Sequence, residues 1–162
     1  YRSTGGTSWT VDDNWLRNDD YCIWAGITCH DSGEFKGLVK EINLPDNNMI
    51  GSVTPVIWAL LEGLELFNVE KNDVTVTFDF VSSALNLETI VISETNTNTL
   101  SGIGGVAGSL KSLHVTNAKL SGNIPEELYT LTQLESIYLS HNDLSGTLST
   151  SIGGLRRLQQ LY

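Results

Sequence analysis

Residues 131–161 read Leu131-x-x-Leu134-x-x-Ile137-x-Leu139-x-x-Asn142-x-Leu144-x-Gly146-x-Leu148, then Leu155-x-x-Leu158-x-x-Leu161. The second group restarts the first: Leu155 repeats Leu131, Leu158 repeats Leu134 and Leu161 repeats Ile137. A fixed period of this size marks a solenoid, in which one coil cannot bury its apolar side without its neighbours. Within each coil the alternation Ile137-x-Leu139 has period two and marks a short strand with its apolar side chains inward. Stacked coils then form a parallel sheet with strands about 4.8 Å apart.

The same spacing, followed backwards, recovers earlier coils of decreasing regularity. Residues 107–130 supply Leu110, Leu113, Val115, Leu120, Gly122, Ile124, Pro125 and Leu128, with Ala118 where Asn is expected. Residues 61–83 supply Leu61, Leu64, Phe67, Val69, Asn72, Val74 and Phe78, and residues 38–60 supply Ile42, Leu44, Asn47, Met49, Gly51, Val53 and Ile57. The coil between them keeps Leu87, Ile90 and Ile92 and then runs through Thr95-Asn-Thr-Asn-Thr99, which reads as a local insertion and a surface loop. Asn47, Asn72 and Asn142 follow their strands at the point where the chain turns inward. A buried Asn needs its amide satisfied, and backbone groups of adjacent coils are the expected partners.

The chain has 162 residues, 40% of them hydrophobic, enough for one folded domain. Nineteen acidic against nine basic residues give a net charge of −10, which disfavours nucleic acid as a partner. The longest apolar run, Val56–Leu61, is far short of the ~20 residues that span a bilayer, so any membrane anchor lies outside these residues. The chain starts without an initiating Met or a secretory leader and stops in mid-strand. We read it as a mature product or part of a longer protein, with the open end covered by further repeats or a partner. Cys22 and Cys29 are the only cysteines, and two cysteines alone leave a disulfide and two buried thiols equally open. A bridge over so short a loop would contribute about 2.5 kcal/mol by the chain-entropy estimate.

The pattern L-x-x-L-x-x-L-x-L-x-x-N-x-L-x-G-x-I-P resembles the plant-type leucine-rich repeat. Leu120-Ser-Gly-Asn-Ile-Pro125 and Asn142-Asp-Leu-Ser-Gly-Thr-Leu148 carry the likeness most specifically. The start is similar to the N-terminal cap of the same family: Thr4-Gly-Gly-x-x-Trp9, Asn14-Trp15-Leu16, then Cys22-x-Trp24-x-Gly26-Ile27-Thr28-Cys29. The resemblance implies an α/β repeat: a right-handed solenoid with a concave parallel sheet and about five coils. Residues 1–36 form the cap and residues 37–162 the repeats, the last incomplete. It also implies a Cys22–Cys29 disulfide and hence a secreted, cell-surface or oxidising-lumen location. Val76 and Asp79 depart from the expected Gly and Pro, which puts the convex side in question at that coil.

Nothing in the sequence resembles a catalytic motif. The three His stand in no known arrangement, no G-x-S-x-G elbow occurs, and Gly102-Ile-Gly104-Gly105 lacks phosphate-loop spacing. Asp12, Asp13, Asp19 and Asp20 do not have cation-loop spacing. We therefore expect no enzyme, no cofactor and no metal. The positions between the inward residues form the concave face, whose central column is Asn43, Asn68, Val91, His114, Tyr138 and Tyr162. His and Tyr offer the semi-rigid amphipathic surface that interfaces favour. The expected ligand-binding residues are His114, Tyr138, His141 and Tyr162, with Asn68, Lys71 and Glu94. The expected partner is a protein or peptide, with a cell-wall or surface polysaccharide as another candidate. The alternative class is a structural subunit of a larger assembly. An inhibitor of cell-wall hydrolases and an ice-binding protein, the latter from the Thr-x-Thr row, are weaker readings.

Overall fold

A computed structural model describes all 162 residues. In chain order the strands are β1 Ile27–Cys29, β2 Val39–Asn43, β3 Ile50–Ser52, β4 Leu66–Asn68, β5 Asp73–Thr75 and β6 Thr89–Val91. They continue with β7 Ser112–His114, β8 Ser121–Gly122, β9 Ser136–Tyr138, β10 Asp143–Leu144 and β11 Gln160–Leu161. The main sheet has the order β1-β2-β4-β6-β7-β9-β11. Six of its strands are parallel, and β1 pairs antiparallel with β2. Ile42, Phe67, Ile90, Leu113, Ile137 and Leu161 pair in register from strand to strand, each one coil further along the chain. Their side chains form an apolar column, buried from Ile42 to Ile137 and increasingly open at Leu161. The solenoid and its parallel sheet are as the repeat spacing requires.

The convex side differs from an α/β expectation. One short α-helix, α1 Val56–Leu60, is present, and the later coils return through 3-10 turns at 81–83, 103–106, 126–130 and 150–154. Coils this short leave too little chain for a full helix after two strand segments and their turns. Val76 is fully buried, so the departure from Gly there fills the core rather than breaking the coil.

Asn72 shows how the coils are fastened. Its Nδ2 donates to the carbonyls of Val69 (2.9 Å) and Glu70 (3.0 Å) in its own coil and of Leu44 (2.9 Å) in the one before. Its Oδ1 accepts from Asn47 N (3.0 Å) and Met49 N (2.9 Å) of that preceding coil. Asn142 repeats this with Leu139, Val115 and Leu120, and Asn47 turns the same groups toward Val11 of the cap. No buried side-chain nitrogen or oxygen lacks a partner.

The Thr95–Thr99 stretch is not an insertion, and only its last two residues, Asn98 and Thr99, are exposed. The step from Ile90 to Leu113 equals that from Phe67 to Ile90 in the coil before, and Thr95 and Thr97 are buried. Thr95 takes the Asn position: its Oγ1 donates to the Ile92 carbonyl (2.7 Å) and accepts from Thr97 N (3.3 Å). Thr97 Oγ1 in turn accepts from Val76 N (3.2 Å). By analogy with Asn142, an Asn at 118 would have served the Ile92 carbonyl and Thr97 N. With Ala118 there, the Thr95 hydroxyl serves both.

The cap closes the first coil. Cys22 and Cys29 form a disulfide, and β1 beside it adds a strand that the cysteine spacing alone did not predict. Tyr1, Trp9, Trp15 and Trp24 pack in sequence with ring centroids 4.7 to 5.9 Å apart. Gly26 sits at φ 78°, and a Cβ there would meet Leu44 Cδ2 at 2.5 Å and the Asn43 carbonyl at 2.6 Å. Only glycine allows this approach of cap to sheet.

Candidate ligand-binding face

The concave side chains are set by alternation along each strand. In β6, β7 and β9 the middle residue is buried and its two neighbours are half-exposed. The central column follows the strand register: Asn43 pairs with Asn68, Asn68 with Val91, Val91 with His114 and His114 with Tyr138. At its acidic end Asn68 Nδ2 donates to Asn43 Oδ1 at 2.9 Å. At the other end the rings pack in a row: His114 lies 4.4 Å from Tyr138 with the planes tilted by 48°, and Tyr138 stacks on Tyr162 at 5.0 Å with an interplanar angle of 10°. Strand spacing alone brings successive rings into contact, because in-register neighbours stand about 4.8 Å apart.

Two hydroxyl-bearing columns flank this stack: Thr89, Ser112 and Ser136 with Gln160 on one side, and Ser93, Thr116 and Ser140 on the other. Ser112 Oγ lies 2.7 Å from Ser136 Oγ and 2.9 Å from His114 Nε2. The Tyr138 hydroxyl donates to Gln160 Oε1. Burial pushes the His114 imidazole below its ordinary value of 6.5, and the nearby Glu70 carboxylate acts in the opposite sense as the lesser cause. His114 is therefore a neutral group near pH 7. From β6 onward, no Asp, Glu, Lys or Arg stands in these three columns. The charges lie beside them, as in the Lys111–Glu88 pair at 2.6 Å, or nearer the cap, as in Lys40–Glu65 at 3.7 Å. Such half-exposed pairs contribute about 0 to 1 kcal/mol each and serve mainly to place charge.

The structure divides the expected site residues. His114, Tyr138 and Tyr162 come together, and Asn68 shares their column two strands away. Lys71, Glu94 and His141 do not join them. They occupy one repeated position with Asp46 and Asn117, all with φ between 49° and 59°. The N–H groups of Asp46, Lys71, Glu94 and Asn117 still donate to the next coil, at 2.8 to 2.9 Å, so the ladder runs through the left-handed turn. The turn carries Lys71 and Glu94 to the rim, where they line a separate polar groove of about 420 Å³ with Asp73, Asn96 and Asn117. Ser112, Ser136 and Gln160 are bonded into the stack although they were not singled out as site residues. Their signal was an offset of two positions from the aromatic column.

A larger cleft of about 560 Å³ lies between cap and first coil, walled by Trp15, Trp24, Leu38, Ile57 and Leu60. Its one charged wall residue is Glu62. With Glu62 and Tyr21 as the wall residues that carry an ionisable group, it offers few groups to orient a polar ligand, and volume alone does not make it the functional site.

The family profile described as Leucine Rich Repeat matches residues 109–131 and 133–155. These are the two coils in which the spacing is most regular. Receptor-like protein 6 of Arabidopsis thaliana is 24% identical, over 88% of this chain and 20% of that protein. Residues 109–131 and 133–155 are leucine-rich repeats, and the chain as a whole is similar to plant leucine-rich-repeat proteins. Among solved structures, the plant peptide hormone receptor RGFR1 in complex with RGF2 is 28% identical, over 72% of this repeat protein and 19% of that chain, with a TM-score of 0.63. A plant ice-binding protein superposes with a TM-score of 0.76 at 22% identity, over 93% of this chain and 51% of its own, a likeness of fold. The repeat protein spans a fifth or less of the curated relatives it matches.

Proposed function

We propose that this repeat protein is a non-catalytic recognition module on the outside of a cell or in an oxidising lumen, and that it binds a protein or peptide on its concave face. The observation that carries the reading is the stack of His114, Tyr138 and Tyr162 on an uncharged part of the sheet. Stacked aromatic rings present contact area with little rotamer freedom left to lose on binding. The disulfide supports the location, and the peptide hormone receptor among its structural neighbours supports the ligand class. No helix is long and apolar enough to cross a membrane. Ice binding draws no support from the threonine row, since Thr95 and Thr97 are buried.

The test is affinity capture from native extract, followed by surface plasmon resonance on the captured partner. Tyr138→Ala and His114→Ala are expected to weaken binding about tenfold or more, while Ser82→Ala on the convex side leaves it unchanged. A partner whose affinity is indifferent to both concave substitutions would remove this reading.

A further inference from the structure

We infer that the concave face selects a peptide segment of about four consecutive uncharged residues, and this deepens and rests on the proposed peptide reading. The neutral part of the face runs from β6 to β11, three strand spacings of about 4.8 Å. An extended peptide crossing it covers that width with about four residues. Every side chain it meets there is a hydroxyl, an amide, an aliphatic group, a neutral imidazole or a phenol. A charged ligand side chain seated within these columns would lose its water without meeting a counter-charge there. Within a chain of net charge −10, the three columns from β6 onward hold no charged side chain. Glu70 and the Lys111–Glu88 pair lie at their border.

The same geometry favours a peptide over a glycan. Tyr138 has one ring face against His114 at 4.4 Å and the other against Tyr162 at 5.0 Å. Both sides of the Tyr138 ring therefore carry a neighbour, and the most exposed ring of the row is Tyr162 at its end. What the strip offers is ring edges, phenol oxygens and rows of hydroxyls such as Ser112 and Ser136, which suit peptide N–H and C=O groups.

The experiment is to pan a displayed library of short random peptides against the whole protein at physiological ionic strength and to measure the best synthetic peptide by calorimetry. Enriched peptides are expected to share a window of about four uncharged residues. Placing Asp or Lys in that window should weaken binding about tenfold or more. Ser136→Lys should reverse the order, so that the Asp-bearing peptide binds it better than the parent peptide does. A peptide that depends on Tyr138 yet tolerates or requires charge throughout overturns this inference and leaves the concave peptide reading standing. Failure to enrich any peptide, or binders indifferent to Tyr138→Ala, overturns both. Binding of a neutral glycan at Tyr138 in place of peptides overturns both in favour of carbohydrate.

Discussion

His114 is the residue at which local physics and proposed function meet. It stands half-buried between Val91 and Tyr138, with Ser112 Oγ on its Nε2. Burial lowers its pKa from 6.5 and Glu70 only partly offsets this, so the folded protein resists protonating it. The unfolded chain does not. Well above pH 6.5 both states hold a neutral imidazole and the group contributes nothing to pH dependence. As pH falls through 6.5 the unfolded state gains the proton first, and stability declines until the lowered folded pKa is passed. His114→Gln keeps a polar side chain and removes the titration. Between about pH 8 and about pH 5, urea midpoints should therefore fall further for the native protein than for His114→Gln. Equal falls would show that the imidazole titrates alike in both states. The column holding His114 was legible in the sequence because a period of two assigns faces without reference to chemistry. Lys71, Glu94 and His141 stand outside that column for an equally physical reason. Counting by twos and threes assumes extended backbone, whereas these residues have positive φ, which few non-glycine residues adopt and which breaks the alternation of faces.

At the scale of one coil, the turn after β6 shows that a repeat conserves hydrogen-bonding demand more strictly than residue identity. Thr95 replaces the amide seen in Asn72, and Ala118 supplies none for the coil it joins. Read as letters, Thr95-Asn-Thr-Asn-Thr99 looked like an interruption, because a short hydroxyl does not resemble a long amide. Read as donors and acceptors, it closes the same buried groups. Thr95→Val, which keeps the volume and removes the hydroxyl, leaves the Ile92 carbonyl and Thr97 N without that partner. The expected cost is about 2 to 4 kcal/mol from two unsatisfied buried groups. Ala118→Asn alone finds those groups already taken and should give no gain. In the Thr95→Val background it should recover part of the loss, because its amide can then reach them. Chemical denaturation of the four proteins forms a double-mutant cycle. A coupling energy near zero would show that the two positions do not share these partners. The 3-10 turns on the convex side were less legible, since coil length rather than local propensity decides them.

For the whole molecule, the sequence showed a stack of coils with a cysteine-bearing front, and the structure shows how that front is attached. The Cys22–Cys29 bridge fixes the approach to β1, β1 pairs with β2, and His30 reaches Gly63 O at 2.8 Å. Beyond these contacts each coil touches chiefly the coils on either side, so stability in a solenoid is a sum of local and nearest-neighbour contributions. The antiparallel pairing was not legible, because the strand Ile27–Cys29 has only three residues and takes its geometry from its partner. Replacing both cysteines with Ser removes a closure of about 2.5 kcal/mol on the chain-entropy estimate. In a molecule held together by neighbours, that loss should stay near the front. Hydrogen exchange followed by mass spectrometry is expected to show faster exchange over the cap and β2, with β7 and β9 almost unchanged. A uniform acceleration along all the strands would mean instead that cap and coils open as one cooperative unit. The stack would then depend on its front end throughout, including the strip around Tyr138, and reduction of the disulfide would release any ligand bound there.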